Sequence, residues 1–200
     1  MPVQQACAVV PCQGRAYRLL LPVVQRVLPE GGPARRRQVG RARQRAAVVM
    51  RALGIDYGSS RIAIVGPSLL VFEEVVLRPG DNFGALDVLA EITWNTVTRT
   101  KAKVVAVESP IQGMSRNVRT GIMLAMVAGA VTVAARQAGA DVTHVPPASW
   151  KKEVIGFGNA KKEQVSEYLA DQHPGLFAHC PSQDLVDAAC LGLYAETRLA

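Results

Sequence analysis

The run RALGIDYGSSRIAIVGPSLLVFEEVVL, residues 51–77, carries the decision about the fold. Its apolar and β-branched stretches at 52–56, 61–65 and 69–77 are separated by Tyr57-Gly58-Ser59-Ser60 and by Gly66-Pro67-Ser68. Short strand-forming runs punctuated by Gly, Pro and Ser read as strands joined by tight turns, so the segment predicts a three-stranded antiparallel meander. Downstream the period changes. Phe83, Leu86, Leu89, Ala90 and Trp94 fall at helical spacing behind Asp81 or Asn82 as a cap, and 103–107 reads as a short buried strand. A long Ala- and Met-rich helix follows from Ser115 or Asn117 to about Gln137, then a strand over 141–145 and helices over 147–154, 161–172 and 182–197. Three antiparallel strands followed by βα crossovers predict an α/β domain with a mixed five-stranded sheet flanked by helices. Right-handed crossovers place the fourth strand beside the first.

Upstream, residues 1–49 hold nine Arg, no Lys and one acid, Glu30, a net charge of +8. The whole chain carries +7, so residues 50–200 sum to about −1 and overall basicity says nothing about the domain itself. The leader contains five Pro and shows no sustained period, which predicts a disordered Arg-rich segment, a transit peptide or phosphate-holding arm, or an over-extended gene start with Met50 as the true beginning. The domain is 50–200. Four cysteines at irregular spacing suit a reducing interior, and His173, His179, Cys180 and Cys190 lack the spacing that pre-forms a zinc site. The longest apolar stretches, such as 121–135, fall short of the roughly 20 residues of a membrane span, so no membrane partner is expected.

Four acids stand at element ends. Asp56 closes the first strand of the domain before Gly58, Glu108 closes the fourth after Val104-Val105-Ala106-Val107, and Asp184 and Asp187 open the last helix three residues apart. If strands one and four are neighbours, Asp56 and Glu108 emerge side by side, and a spacing of three puts Asp184 and Asp187 on one helix face. Taken singly, an Asp before Gly is commonly a turn residue and Asp184 a first-turn acid favoured by the helix dipole. Taken together, four like charges need cations. Two Mg²⁺ ions roughly 3.5–4 Å apart would neutralise them and suit in-line phosphodiester hydrolysis.

The strand order is that of a ribonuclease H-like fold. Gly54-Ile55-Asp56-Tyr57-Gly58, Ala106-Val107-Glu108, the glycine-lysine segment from Trp150 to Val165, and Asp184-Leu185-Val186-Asp187-Ala188-Ala189 resemble, in order, the motifs of the RuvC family of Holliday junction resolvases. The resemblance implies a homodimeric crossover junction endodeoxyribonuclease that nicks four-way DNA junctions in recombination or repair. It implies Asp56, Glu108, Asp184 and Asp187 as catalytic ligands of two Mg²⁺ ions, with Mn²⁺ able to substitute. Lys151 and Lys162 correspond to active-site lysines that hold the scissile phosphate, and a cytoplasmic location in a bacterial or phage-infected cell follows. The stretch Ser109-Pro110-Ile111-Gln112-Gly113-Met114 departs from the family pattern, which has an aromatic residue there. Residues 56–62 are also similar to the related RuvX/YqgF nucleases, so a nuclease for another structured nucleic acid is one alternative. A non-catalytic module binding branched nucleic acid is the other.

Residues 101–162 carry nine basic side chains against three acids, a surface suited to phosphate. Arg61, Arg116, Arg119, Lys151, Lys152, Lys161 and Lys162 are the expected DNA contacts, with Phe157 either stacking on a base or anchoring the core. Lys101, Lys103 and Arg136 read as solvated positions. Small residues Ala125, Ala128, Gly129 and Ala130 permit close helix approach in a two-fold dimer. Trp94 and Trp150 read as core or rim anchors.

Overall fold

The computed structural model describes residues 7–12, 15–20, 51–59, 61–69, 71–76, 82–109 and 117–199. Strands β1 (Cys7–Cys12) and β2 (Arg15–Leu20) pair antiparallel. These two strands lie in the leader, for which no regular structure was expected. Val9, Val10, Tyr17 and Leu19 are good strand residues, and only Gln13 and Gly14 separate the two strands, the length of a tight hairpin link. The basic run 35–45 lies outside the described residues.

The main sheet comprises β3 (Ala52–Tyr57), β4 (Arg61–Gly66), β5 (Val71–Val76), β6 (Val104–Glu108) and β7 (Asp141–Val145), in the order β5-β4-β3-β6-β7. The meander β3-β4-β5 is antiparallel, while β6 and β7 join in parallel, the mixed α/β sheet expected, with strand β6 beside β3. Strand β5 begins later than expected because Pro67–Leu69 forms a 3₁₀ turn first. The helices are α1 (Asn82–Thr100), α2 (Val118–Gln137), α3 (Pro147–Val154), α4 (Lys162–Gln172), α5 (Pro174–Phe177) and α6 (Gln183–Thr197). Helix α5 was not anticipated; four residues are too few to show a period.

Alternation along the strands divides the core in two. Leu53, Ile55, Ile62, Ile64, Val105 and Val107 pack with Val88, Leu89 and Val97 of α1 and Val127 and Val131 of α2. Ala52, Ala63, Val65 and Ala106 pack with α6 and with Trp150, Val165 and Leu169. Asn117 Oδ1 accepts the Arg119 N–H and starts α2, which then runs 20 residues, past the apolar stretch at both ends. By length and composition α2 is thus apolar enough to cross a membrane, which corrects the expectation that every apolar stretch is too short. Its residues Val127, Val131 and Ala135 are fully buried in the same core as the sheet.

Glycine fixes how α6 meets the sheet. A Cβ on Gly54 would lie 2.1 Å from the Ala188 carbonyl oxygen and 2.2 Å from the Gly192 nitrogen, so helix backbone rests directly on strand backbone. A Cβ on Gly192 would lie 2.5 Å from Pro67 Cδ and 3.0 Å from the Val65 carbonyl oxygen. Neither neighbour is the yielding end of a flexible side chain. Gly54→Ala should therefore destabilise the fold by about 2 kcal/mol or more in denaturant unfolding, as overpacking that moves backbone does. Gly175→Ala, whose added methyl meets nothing within 4 Å, should stay within about 0.5 kcal/mol of wild type.

Candidate active site

Because β3 and β6 are parallel with Ile55 beside Val107, the next residues, Asp56 and Glu108, leave the sheet as neighbours at one edge. Two-residue periodicity puts them on the face of Gly54 and Ala106, the face covered by α6. Helix α6 starts where Ser182 Oγ accepts the Leu185 N–H at 3.2 Å, which sets Asp184 in the first turn and Asp187 one turn on. The close seat of α6 on Gly54 carries both acids to that edge.

The four carboxylates bear on one another. Asp56 is held well above the usual carboxylate range, first by burial and then by the charges of Glu108, Asp187 and Asp184. Burial is also the main cause raising Glu108 and Asp187. Lys151 and Lys162 oppose that rise at both acids. Lys151 Nζ donates to the Ala160 carbonyl oxygen at 3.0 Å.

Each of three acids also has an oxygen engaged by the protein. Trp150 Nε1 donates to Glu108 Oε2 at 3.0 Å, Gln183 Nε2 to Asp187 Oδ1 at 2.9 Å, and Arg61 Nη1 to Asp184 Oδ2 at 3.0 Å. Ser166 Oγ in turn donates to Gln183 Oε1, tying α4 to α6. In this arrangement no three acidic, His or Cys groups among the described residues stand ready to chelate one ion. The cluster still has the chemistry of a cation site: hard carboxylate oxygens, half-buried at one edge of the sheet, with Glu108, Asp184 and Asp187 all disfavouring the charge of Asp56. The exposed Arg61–Asp184 pair is of the kind worth little, so it yields readily to an ion.

The other expected contacts are less uniform. Lys152, Lys161 and Lys162 are exposed around the loop joining α3 to α4, and Arg119 is exposed in the first turn of α2. Arg116 lies outside the described residues. Phe157 is 42% exposed, which corrects its reading as a buried anchor and leaves the stacking one. Gly156 (φ +105°) and the close approach of Gly158 to the Ala148 carbonyl oxygen give that loop its shape. Lys101 and Lys103 are exposed at the opposite end of β6. Cys180 and Cys190 are buried free thiols pushed up to about 12, and His179 stacks on Phe72, so the zinc alternative gains no ligand set among the described residues.

Three residues near the acids escaped the sequence reading. Trp150 is the core anchor expected, but its bond to Glu108 was not foreseen, since no spacing links the two, 42 residues apart. Gln183 stands four residues before Asp187, a helical spacing that offered a clue. Tyr57 has a buried hydroxyl with no hydrogen-bond partner among the described residues, and burial, Glu108 and Asp56 all keep it neutral.

The pattern of the family described as "Crossover junction endodeoxyribonuclease RuvC" matches residues 52–191. The curated protein of that name from Chloroherpeton thalassium is 28% identical over 162 residues, covering 76% of this chain and 84% of its own length. That from Rhodospirillum rubrum is 29% identical over 151 residues, covering 72% and 88%. Among solved structures, Thermus thermophilus RuvC in complex with Holliday junction substrate superposes with a TM-score of 0.61 at 25% identity, covering 74% of this chain and 94% of that one.

The pKa directions make a prediction about stability. A carboxyl raised in the fold stabilises it at acid pH, and that contribution is lost as pH rises through the folded value. In metal-free buffer, wild type should therefore lose stability relative to Asp56→Asn as pH rises from about 4 through the raised folded value of Asp56. Mg²⁺ or Mn²⁺ should restore the wild type and leave the variant nearly unmoved, read as thermal midpoints.

Proposed function

The chain belongs to the RuvC family of crossover junction endodeoxyribonucleases, and from that premise we propose that it is a divalent-metal-dependent DNA endonuclease, a hydrolase that resolves Holliday junctions by paired phosphodiester nicks in recombination or repair. The observation that carries the reading is the convergence of Asp56 and Glu108, from paired parallel strands, with Asp184 and Asp187 from the start of α6 seated on Gly54, where the other three acids all oppose the ionisation of Asp56. The alternatives of a RuvX/YqgF-like nuclease and of a non-catalytic binder gain no such support from a family match spanning residues 52–191.

Asp56, Glu108, Asp184 and Asp187 would hold two Mg²⁺ ions, or Mn²⁺ in their place. Such ions, when bound, activate a water for in-line attack and offset charge on the entering and leaving oxygens. The chain's own residues do the rest. Lys151 and Lys162 grip the scissile phosphate, where a fixed positive charge gains value as negative charge builds in the transition state. Arg61, once released from Asp184, turns to a neighbouring phosphate. Lys152, Lys161 and Arg119 hold backbone farther out, Arg116 remains a further expected phosphate contact, and Phe157 stacks on a base beside the loop.

Paired nicks call for two active sites. Val118, Ile122, Ala125, Gly129 and Val133 form an exposed stripe along α2 at helical spacing, apolar and small enough for a second copy of that helix. The homodimer therefore forms through α2. A cytoplasmic site of action follows from the substrate.

Asp56→Asn, Glu108→Gln, Asp184→Asn and Asp187→Asn should each lower cleavage of a labelled four-way junction by at least about a hundredfold while junction binding persists. Any two of them cutting at the wild-type rate in saturating Mg²⁺ would remove the four-acid site. Lys151→Ala and Lys162→Ala should each slow single-turnover cleavage at least about tenfold, or about 1.4 kcal/mol, and Lys101→Ala should not. Ile122→Glu should reduce the particle mass in light scattering from twice the 21.4 kDa of the chain to the chain mass itself.

A further inference from the structure

We propose that Trp150 is a positioning residue of the carboxylate cluster: its indole N–H ties down one oxygen of Glu108 while its ring carries the Lys151 ammonium, so that a single buried side chain sets a metal-binding carboxylate against a phosphate-binding lysine. The inference rests on the functional reading above and deepens it.

Trp150 is the largest of the fully buried side chains. It belongs to the buried cluster that also holds Val145, Val165, Leu169 and Leu185, drawn from β7, α4 and α6, and close packing there holds the ring in place. An indole offers one donor and no acceptor, and a buried donor needs a partner. Here the partner is Glu108 Oε2 at 3.0 Å. The second oxygen, Oε1, accepts no hydrogen bond among the described residues and is left for an ion. Apolar packing is indifferent to where the indole N–H points, so packing alone does not call for it to face a carboxylate.

The same ring serves the lysine. Lys151 Nζ stands over it, 5.4 Å from the centroid, while donating to the Ala160 carbonyl oxygen at 3.0 Å. A cation over an indole face is held by the ring quadrupole. Lys151 is thus steadied from both sides, and a movement of the indole would displace carboxylate and ammonium together.

Trp150→Phe keeps a ring and removes the donor. With the full chain, Mn²⁺ affinity followed by electron paramagnetic resonance of the free ion should fall at least about tenfold in the variant, the cost typical of losing a partner that orients a ligand. Metal-free junction affinity should stay within about twofold. Where the variant fails to fold, the wild type still decides: Mg²⁺ should shift the indole N–H resonance of Trp150 and leave that of the exposed Trp94 in place. Wild-type Mn²⁺ affinity in folded Trp150→Phe, or an unmoved Trp150 resonance, would overturn the proposal alone. A wild type that binds no Mn²⁺ would overturn the functional reading and this proposal with it.

Discussion

One contact governs the geometry: the backbone of α6 lies on the backbone of β3 with only Gly54 and Gly192 between them. A helix usually stands off a sheet by the depth of its side chains, and here that depth is removed. Small residues along α6, Ala188 and Ala189 beside Gly192, keep the seam close without leaving a void. The approach carries Asp184 and Asp187 to the edge where β3 and β6 deliver Asp56 and Glu108. Alternation turns Asp56 and Glu108 to the face that α6 covers, so all four acids meet on one side of the sheet.

Bringing them together has an electrostatic cost, and the surrounding residues show how it is contained. Burial and mutual repulsion favour protonation, while Trp150, Gln183, Lys151 and Lys162 favour the charged forms. Trp150 and Lys151 come from α3, Lys162 from α4, and Gln183 from α6 itself, bonded to Ser166 of α4. Helices that at first sight only cover the sheet thus supply the donors and cations that the acids lack. A divalent cation completes the balance, because it meets repelling charges that the fold already holds in place.

Most of the skeleton was legible because each element announces its own ends. The turns at Gly58 and Gly66, the cap at Asn117 and the cap at Ser182 are local signals, and the four acids sit at such ends. Parallel pairing of β6 with β3 followed from crossover handedness, and so did the adjacency of Asp56 and Glu108. What stayed hidden depends on tertiary contact. The Trp150–Glu108 bond joins residues with no common period, and the tie of Arg61 to Asp184 spans 123 positions. The β1–β2 ribbon was missed for the opposite reason: its local signal was present in Gln13-Gly14 but was outweighed by the leader's proline and arginine content.

The most direct test is a single-turnover reaction of the wild-type chain with a four-way junction labelled on two opposing strands, beside duplex, flap and single-stranded controls, in Mg²⁺ and in EDTA. Nicks at symmetric positions on the opposing strands, confined to the junction and dependent on the metal, are the predicted result. Cleavage that persists in EDTA, or that falls equally on duplex and junction, would contradict the reading of the four acids as a metal-dependent centre for resolving junctions.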